Sequence, residues 1–403
     1  MNTTLSTRSL NLRYALLQAA VWGTYCALLS FSTFFLLELG FSSTTVGAIA
    51  AFANIMGILA QPHAATLAGR IGAARLIAIL TGIGALLGVC MLIFSYIPIA
   101  AVIILVPLIM ILHSVMGPVN ALGMEYANRG FYINYGLGRG VGSLGFALVS
   151  FLLGGAAQQF GMRMIPLAYT VIFCVITLLS LSFSLPRTEQ KDADANNMQQ
   201  KKTVTNQEKP RGVFALMRHE KQFCVFWFSY LLLMIGSNTV STFMISIVTA
   251  RGAGGEVMGT VLAFGAVLEL PAMAVVARLL RRFSTRPLLR FASVFLTLKI
   301  IIIYTTTMVS GVFAAQLMQP LGYALFIPAT VYYTNQTLAP QDRMLGQTLM
   351  LTANIAASVI GSLCGGFLLD AGGTALLLPI CICISTLGTL LTFTIKRDAT
   401  QPI

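Results

Sequence analysis

Residues 187–221 read RTEQKDADANNMQQKKTVTNQEKPRGVFALMRHEK, and they form the one long hydrophilic stretch of the sequence. The segment is charged, polar and poor in aromatic residues, a composition that is typical of a flexible linker. On both sides the sequence consists of apolar runs of about 20 residues, the length that a helix needs to cross a bilayer. The segment therefore predicts a boundary between two groups of membrane-spanning helices.

Six apolar runs precede the hydrophilic segment and six follow it, and we number them spans one to twelve. They cover residues 14–37, 45–68, 72–95, 98–124, 140–160 and 165–185, and then residues 222–247, 256–278, 288–309, 311–334, 346–369 and 373–395. They predict an all-α polytopic membrane protein with 12 transmembrane helices in two six-helix bundles. The expected domains are an N-terminal bundle over 1–186, a linker over 187–221 and a C-terminal bundle over 222–403.

The composition agrees with a protein that lies in lipid. Of the 403 residues, 57% are hydrophobic and only 9% are charged, whereas about a quarter of an average soluble protein is charged. These values exclude an ordinary soluble enzyme, a disordered chain and a secreted disulfide scaffold. The formal net charge of +13 would suggest a nucleic-acid surface in a soluble protein. In a membrane protein its meaning depends on which loops carry the basic residues.

The basic residues are distributed unequally between the loops. With a cytoplasmic N-terminus, 22 of the 25 Lys and Arg residues fall on the cytoplasmic side. The outer loops hold Arg163 and Arg251, and Lys299 lies within a span. The positive-inside rule then predicts that both termini and the linker are cytoplasmic. We expect a multi-pass protein of the inner (plasma) membrane whose basic side meets anionic headgroups, with no nucleic-acid partner.

The two halves of the sequence resemble each other. At an offset of 212 residues, Gly47 matches Gly259 and Arg70 matches Arg282. The loop GRIGAAR, which begins at Gly69, resembles the signature loop between spans two and three of the major facilitator superfamily, with a glycine in place of the signature's Asp. Two six-span halves related in parallel are also the architecture of these transporters. The chain therefore resembles a major facilitator transporter over nearly its whole length.

Within that superfamily the chain resembles the branch that contains lactose permease and other oligosaccharide:proton symporters. The stretch GRGVGSLGF, residues 138–146, is similar to the start of the fifth span in that branch. The resemblance implies that Arg139 contacts the substrate, that Phe146 stacks against a sugar ring and that Glu125 partners the arginine. Without the resemblance, an interfacial salt bridge between Glu125 and Arg139 explains these two residues equally well.

Two departures from the branch argue against lactose itself as the substrate. Span ten of the lactose-type branch carries a His and a Glu that serve proton coupling, whereas the matching stretch here offers Tyr323 and Phe326. The acid of span seven and the base of span eleven, which pair in that branch, are both absent. Because both members are missing, no lone buried charge remains.

Two ionisable residues lie deep within the predicted spans. Glu269 is nine residues from Arg278 at the inner end of span eight, and Lys299 is eleven residues from Leu288 at the inner start of span nine. At 1.5 Å per residue they lie about 14 and 16 Å deep, which allows an ion pair. The resemblance places the same two residues on the branch's eighth-span glutamate region and ninth-span basic residue. An ionisable group at this depth costs roughly 2.5–3.5 kcal/mol, so the pair is either a proton-coupling site or a static link between helices.

Other polar side chains within the spans are further candidates for a cavity. They are Asn54, His63, His113, Asn120, Tyr323 and Asn354. We expect Asn120 to bind substrate beside Arg139, Glu125 and Phe146, with His113, His63 and Tyr323 in secondary roles. A His can relay protons near neutral pH, but hydrogen bonds between helices explain these histidines and asparagines at least as well.

Several absent motifs narrow the function. The sequence has no GxxxxGK[ST] loop, no HExxH motif and no carboxylate-rich metal cluster, so we expect neither ATP-driven transport nor metal catalysis, and no cofactor. A membrane enzyme would need catalytic groups clustered at one depth, and a sensing receptor of this fold would carry a signalling domain.

We therefore predict a proton-coupled secondary active transporter, not an enzyme. It moves a small organic solute, either sugar-like or an aromatic or other organic acid, by alternating access. Its expected partners are the solute, protons and the lipid bilayer, and we expect a monomer. The alternative is an exporter of sugars, drugs or other metabolites with the same fold.

Overall fold

The computed structural model describes residues 7–128, 133–183 and 212–395. The first half contains α1 (Thr7–Tyr25), α2 (Ser32–Glu38), α3 (Ser43–Ile71), α4 (Ala73–Phe94), α5 (Pro98–Asn128), α6 (Tyr135–Phe160) and α7 (Met164–Leu181). The second half contains α8 (Val213–His219), α9 (Lys221–Thr242), α10 (Met244–Thr249), α11 (Gly255–Arg282), α12 (Thr285–Thr305), α13 (Val309–Gln316), α14 (Tyr323–Thr337) and α15 (Arg343–Thr394). Residues 187–211, most of the predicted linker, lie outside the described residues.

The described part of the chain has ten helices that are long and apolar enough to cross a membrane. The all-helical membrane class is confirmed, whereas the expected twelve continuous spans are not. Helix α15 has 52 residues and contains spans eleven and twelve, which meet at a kink where Gly372 and Gly373 leave helical geometry. Span ten is divided into α13 and α14, with 8 and 15 residues, and each is shorter than a bilayer requires.

Span ten is interrupted because two helix-breaking residues lie close together in its sequence. Residues 317–322, between α13 and α14, form turns instead of helix. Pro320 has no backbone N–H to donate and disfavours helical geometry at the preceding Gln319. Gly322 adopts φ −89° and ψ −93°, outside the helical region. The break frees the side chain of Gln319 to contact spans eight and nine.

Spans one and seven are interrupted at equivalent positions. A π-helical turn, Cys26–Ser30, ends at Phe31 between α1 and α2. Phe243, with φ −103° and ψ 26°, separates α9 from α10. These two phenylalanines stand at the offset of 212 residues that relates the halves in sequence. Irregular backbone at membrane depth is tolerated where it is buried in protein or borders a cavity. We therefore expect both breaks to face the interior of the molecule and not the lipid.

In the described part of the chain the halves meet mainly through two helix pairs: span five packs on span eight, and span two packs on span eleven. Glycines make the approach close, since Gly154 lies against Gly259 and Gly47 lies against the backbone of Ser362. Ser150 Oγ adds a hydrogen bond to the Gly259 carbonyl at 2.9 Å. These contacts lie where spans two and eight begin and spans five and eleven end. We call this end of the molecule the closed face.

At the closed face a carboxylate caps a helix of the other half. Asp370, near the end of span eleven, accepts hydrogen bonds from the backbone N–H groups of Ser43 at 2.9 Å and Thr44 at 2.7 Å. These two residues begin α3, and the first N–H groups of a helix lack intrahelical partners and carry partial positive charge. Asp370 therefore holds span eleven to span two by charge and by hydrogen bonds.

We expect Asp370→Ala to open the closed face more often. Because the carboxylate is exposed to solvent, its contribution is about 1 kcal/mol, which corresponds to a roughly fivefold change in the ratio of open to closed molecules. Ser358 of span eleven lines the space between the two halves, so a cysteine there becomes accessible from this side when the closed face opens. The measurement is labelling of Ser358→Cys, in the reconstituted protein, by an impermeant maleimide added at the closed face. Asp370→Asn keeps one acceptor oxygen and should label less than Asp370→Ala. Equal labelling of Asp370→Ala and its parent would show that Asp370 does not stabilise the closed face.

Candidate functional site

A cavity of about 360 Å³ lies between the two halves, within the size range of sites for small organic ligands. Its wall combines aromatic rings, side-chain amides and hydroxyls. Three of the side chains that line it carry a charge: Arg139 from span five, Glu269 from span eight and Lys299 from span nine. The sequence singles out all three residues as functional candidates, and of these Glu269 and Lys299 are the charges that it places deep within the spans.

On the wall formed by the second half, three polar side chains are joined in series. Lys299 Nζ donates to Gln319 Oε1 at 2.6 Å, and Gln319 Nε2 donates to Glu269 Oε1 at 2.6 Å. Spans eight and nine supply the ionisable groups, and the break in span ten supplies the amide between them. The structure thus brings Glu269 and Lys299 together through a glutamine instead of through a direct ion pair.

On the wall formed by the first half, Arg139 is held against an aromatic ring. Its guanidinium carbon lies 3.8 Å from the centroid of the Trp22 ring, and its Nη1 donates to Ser143 Oγ at 3.3 Å. Gly142 makes room for this stack, because a Cβ at that position would lie 2.6 Å from Trp22 Cδ1. Stacking fixes the plane of the guanidinium fork, and Phe146 lines the same cavity two turns further along.

A third set of polar side chains connects the two halves by hydrogen bonds. His113 Nε2 lies 3.1 Å from Asn54 Oδ1, and Asn54 Nδ2 donates to Ser358 Oγ at 3.4 Å. Since an amide oxygen only accepts, the imidazole donates through Nε2 in this arrangement. The series runs from span four through span two to span eleven, so it can exist only while spans two and eleven are in contact.

The structure places most of the sequence-predicted residues in one cavity. Those that line it are Arg139, Phe146, His113, Glu269, Lys299 and Tyr323, together with Asn54 and Asn354. Three others are not among its lining residues. Asn120 accepts from Gln18 Nε2 at 3.5 Å, the exposed His63 has Nδ1 3.0 Å from the Leu59 carbonyl oxygen, and Glu125 lies near the end of α5. Substrate contact by Glu125, which follows from the resemblance, and by Asn120, a polar side chain within a span, stays a prediction.

Among the lining residues that are not predicted from the sequence are Trp22, Tyr25, Gln316 and Gln319. Trp22 and Tyr25 lie on α1, within an apolar run where aromatic residues are common. Gln316 and Gln319 did carry a signal, because two glutamines within a predicted span, next to Pro320, are costly unless they face a polar interior. Gln316 is buried, and its Nε2 has no hydrogen-bond partner in the described part of the chain.

These groups together suit reversible binding of a small polar organic molecule. Ring faces, amide donors and acceptors, a guanidinium fork and a buried amide N–H can each meet part of a ligand, and the acid of the Lys299–Gln319–Glu269 series can exchange a proton. Within the described ranges, no three His, Cys, Asp or Glu side chains are grouped so as to hold a metal ion.

Comparison with known proteins agrees with this architecture. Residues 12–378 match the MFS_1 like family. Among solved structures, the nucleoside transporter NupG, in two crystal structures of which one is a mutant, covers 96% of this chain and 98% of its own, with a TM-score of 0.77 and 14% identity. A D-xylose-proton symporter covers 97% of this chain and 98% of its own, with a TM-score of 0.71 and 12% identity. A search of curated protein sequences finds no match.

At such low identity the solved structures show the fold alone, whereas the family match extends over most of the sequence. Apolar helices, a central cavity between two halves and this match all lead to the same assignment. The chain belongs to the MFS_1 like family, and it is therefore a multi-pass membrane transporter of the major facilitator type and not an enzyme.

Proposed function

We propose that the protein is a proton-coupled secondary active transporter of a small organic solute. The observation that carries the proposal is the position of Glu269, an acid at membrane depth in the wall of the central cavity, joined to Lys299 through one side chain. An ionisable residue in such a place is costly and marks a proton or substrate pathway by default. Glu269 is the proton carrier in this proposal, and Lys299 is its partner.

The proposed substrate is sugar-like or an aromatic or other organic acid. Phe146 and Trp22 present ring faces, and Arg139 presents a planar fork that suits paired hydroxyls or a carboxylate. Two transporters that share the fold are a nucleoside transporter and a D-xylose-proton symporter. Their substrates are small, polar and ring-shaped, which supports the same substrate class for this cavity.

We propose that twelve spans cross the inner membrane and that both termini are cytoplasmic. The two bundles comprise residues 1–186 and 222–403, with the linker 187–221 on the cytoplasmic side and the protein acting as a monomer. The distribution of basic residues supports this orientation. In it the closed face is the outer face, so the described conformation faces inward, and transport requires the contacts of Gly47 and Gly154 to separate.

Uptake by purified protein in proteoliposomes tests this proposal. D-Xylose, uridine and benzoate represent the sugar, nucleoside and aromatic acid classes, and a pH gradient supplies the driving force. Accumulation of one of them only with the gradient supports the proposal, and indifference of every flux to pH contradicts proton coupling. The exporter alternative is tested in inside-out vesicles, where an exporter accumulates its substrate when protons are more concentrated in the lumen.

Replacing Arg139 by lysine should weaken substrate binding about tenfold. Lysine keeps the charge but loses the fork and the flat stack on Trp22, which together contribute roughly 1–2 kcal/mol. Intrinsic fluorescence of Trp22 measures the affinity, in a Trp227→Phe background that leaves one tryptophan. Lys221→Arg, the reverse exchange at a helix start outside the cavity, is the control. Unchanged affinity would assign Arg139 to a structural role.

A further inference from the structure

Gln319 lies where its side chain contacts both Glu269 and Lys299 in the cavity wall. The turns of residues 317–322 interrupt span ten at the depth of Glu269 and Lys299. A backbone hydrogen bond from Gln319 N–H to the Gln316 carbonyl, at 2.9 Å, holds this turn. The turn presents the side chain of Gln319 to spans eight and nine at the same time.

The amide has two chemically different ends, and its orientation depends on its neighbours. An ammonium group only donates and a carboxylate only accepts, so Lys299 selects Oε1 and Glu269 selects Nε2. If a proton settles on the Glu269 oxygen that faces Gln319, two donors meet and the bond is lost. If the amide then rotates, its NH₂ group faces the ammonium of Lys299. One of the two hydrogen bonds is lost in either orientation.

We propose that Gln319 is the positioning residue that couples the protonation of Glu269 to the release of Lys299 into the cavity. The inference rests on the proposed function, because it takes Glu269 as the proton carrier. With the carboxylate charged, the amide holds Lys299 to the wall by two charge-assisted hydrogen bonds. When the carboxyl is protonated and the amide rotates so that its oxygen accepts from Glu269, Lys299 loses its acceptor and is freed to bind an oxygen of the substrate. Proton and substrate therefore favour each other's binding through one amide.

Other groups that titrate or carry charge face the same cavity. Tyr25 comes from span one, His113 from span four, Arg139 from span five and Tyr323 from span ten. None of these has a hydrogen bond among those described that joins it to Gln319. General electrostatics of the cavity would let Lys299 shift the titration of Glu269 equally with or without the amide. A link through Gln319 requires that this shift become smaller when the amide is absent.

The experiment measures the titration of Glu269 in the full-length protein in lipid bilayers, without any ligand. Infrared difference spectra against pH give the carboxyl band that is absent in Glu269→Gln. Four proteins form a double-mutant cycle: the parent, Lys299→Met, Gln319→Leu and the double variant. Leucine is similar in size to glutamine but can make neither hydrogen bond. Gln347→Leu, at a half-buried site on span eleven outside the cavity lining, controls for the loss of a glutamine.

We expect Lys299→Met to move the midpoint of the band by about one pH unit or more in the parent. In the Gln319→Leu background the same substitution should move it less than half as far, because the connecting amide is gone. An equal shift in both backgrounds would overturn the proposed role of Gln319, and it would leave the proposed role of Glu269 as proton carrier unchanged. If no band is lost in Glu269→Gln, the carrier role itself fails, and the link fails with it.

Gln319→Met and Gln319→Asn keep the inference testable if the leucine variant does not insert. The methionine has the length of glutamine but no N–H to donate to Glu269 and no amide oxygen to accept from Lys299, so it should break the coupling as leucine does. The asparagine keeps both functional groups with a reach that is one methylene shorter, and it should retain part of the coupling. The same loss of coupling in both variants would assign Gln319 a role in packing only.

Discussion

Glu269→Gln should abolish uphill transport while exchange of substrate across the membrane continues. A pH difference of about two units supplies about 2.7 kcal/mol per proton, enough for a roughly hundredfold gradient of solute. Without a carboxyl group at position 269 this coupling is lost, and the accumulation ratio falls to about one. The new amide still offers an Oε1 that can accept from Gln319 Nε2, as Glu269 does. The cavity wall is therefore kept, and exchange should stay within a few-fold of the parent rate.

The measurements are accumulation under a pH gradient and counterflow without one, in the same proteoliposomes and with the substrate that the uptake panel identifies. Glu256→Gln is the matched control, because it makes the same substitution at an exposed position on the same helix. If Lys299 destabilises the single variant once its partner is neutral, Glu269→Gln combined with Lys299→Met removes both charges. Normal accumulation in the Glu269 variant would exclude this residue as the proton carrier.

The sequence predicts most of the fold because lipid imposes simple requirements. Twenty apolar residues are needed for each span, and the hydrophilic segment 187–221 divides these runs into two sets. The number of continuous helices is less predictable, because hydropathy does not report backbone geometry. The Pro320–Gly322 break of span ten and the glycine kink at Gly372–Gly373 both lie within or between apolar runs and leave the hydropathy pattern unchanged.

The sequence also identifies the charged residues of the candidate site, since a charge at membrane depth is rare enough to stand out. It does not predict what lies between them. Glu269 and Lys299 were expected at equal depth on adjacent spans, and the amide that joins them comes from a third span whose break sets its direction. Trp22 was missed for a related reason: its role depends on stacking with Arg139, and a contact between spans one and five leaves no trace in local sequence.

Gly154→Val should abolish transport by preventing the closed face from forming. Gly154 lies on span five against Gly259, and a Cβ at Gly154 would lie 2.7 Å from the Gly255 carbonyl oxygen and 2.9 Å from the Gly259 Cα. These are backbone atoms of span eight, so neither can rotate away as a side chain would. The two halves must then separate at this face, and the conformation in which this face is closed is lost from the transport cycle.

The adjacent glycine provides the control for this prediction. Gly155 is on the same helix, and a Cβ there meets nothing within 4 Å, so Gly155→Val bears the same change in helix propensity without the clash. Labelling of Ser358→Cys from the closed face should rise strongly in Gly154→Val and remain at the parent level in Gly155→Val. Transport should fall to background only in Gly154→Val. Because the two variants differ by one position along a single helix, equal behaviour would show that valine disturbs span five itself, and the glycine contact would no longer explain closure.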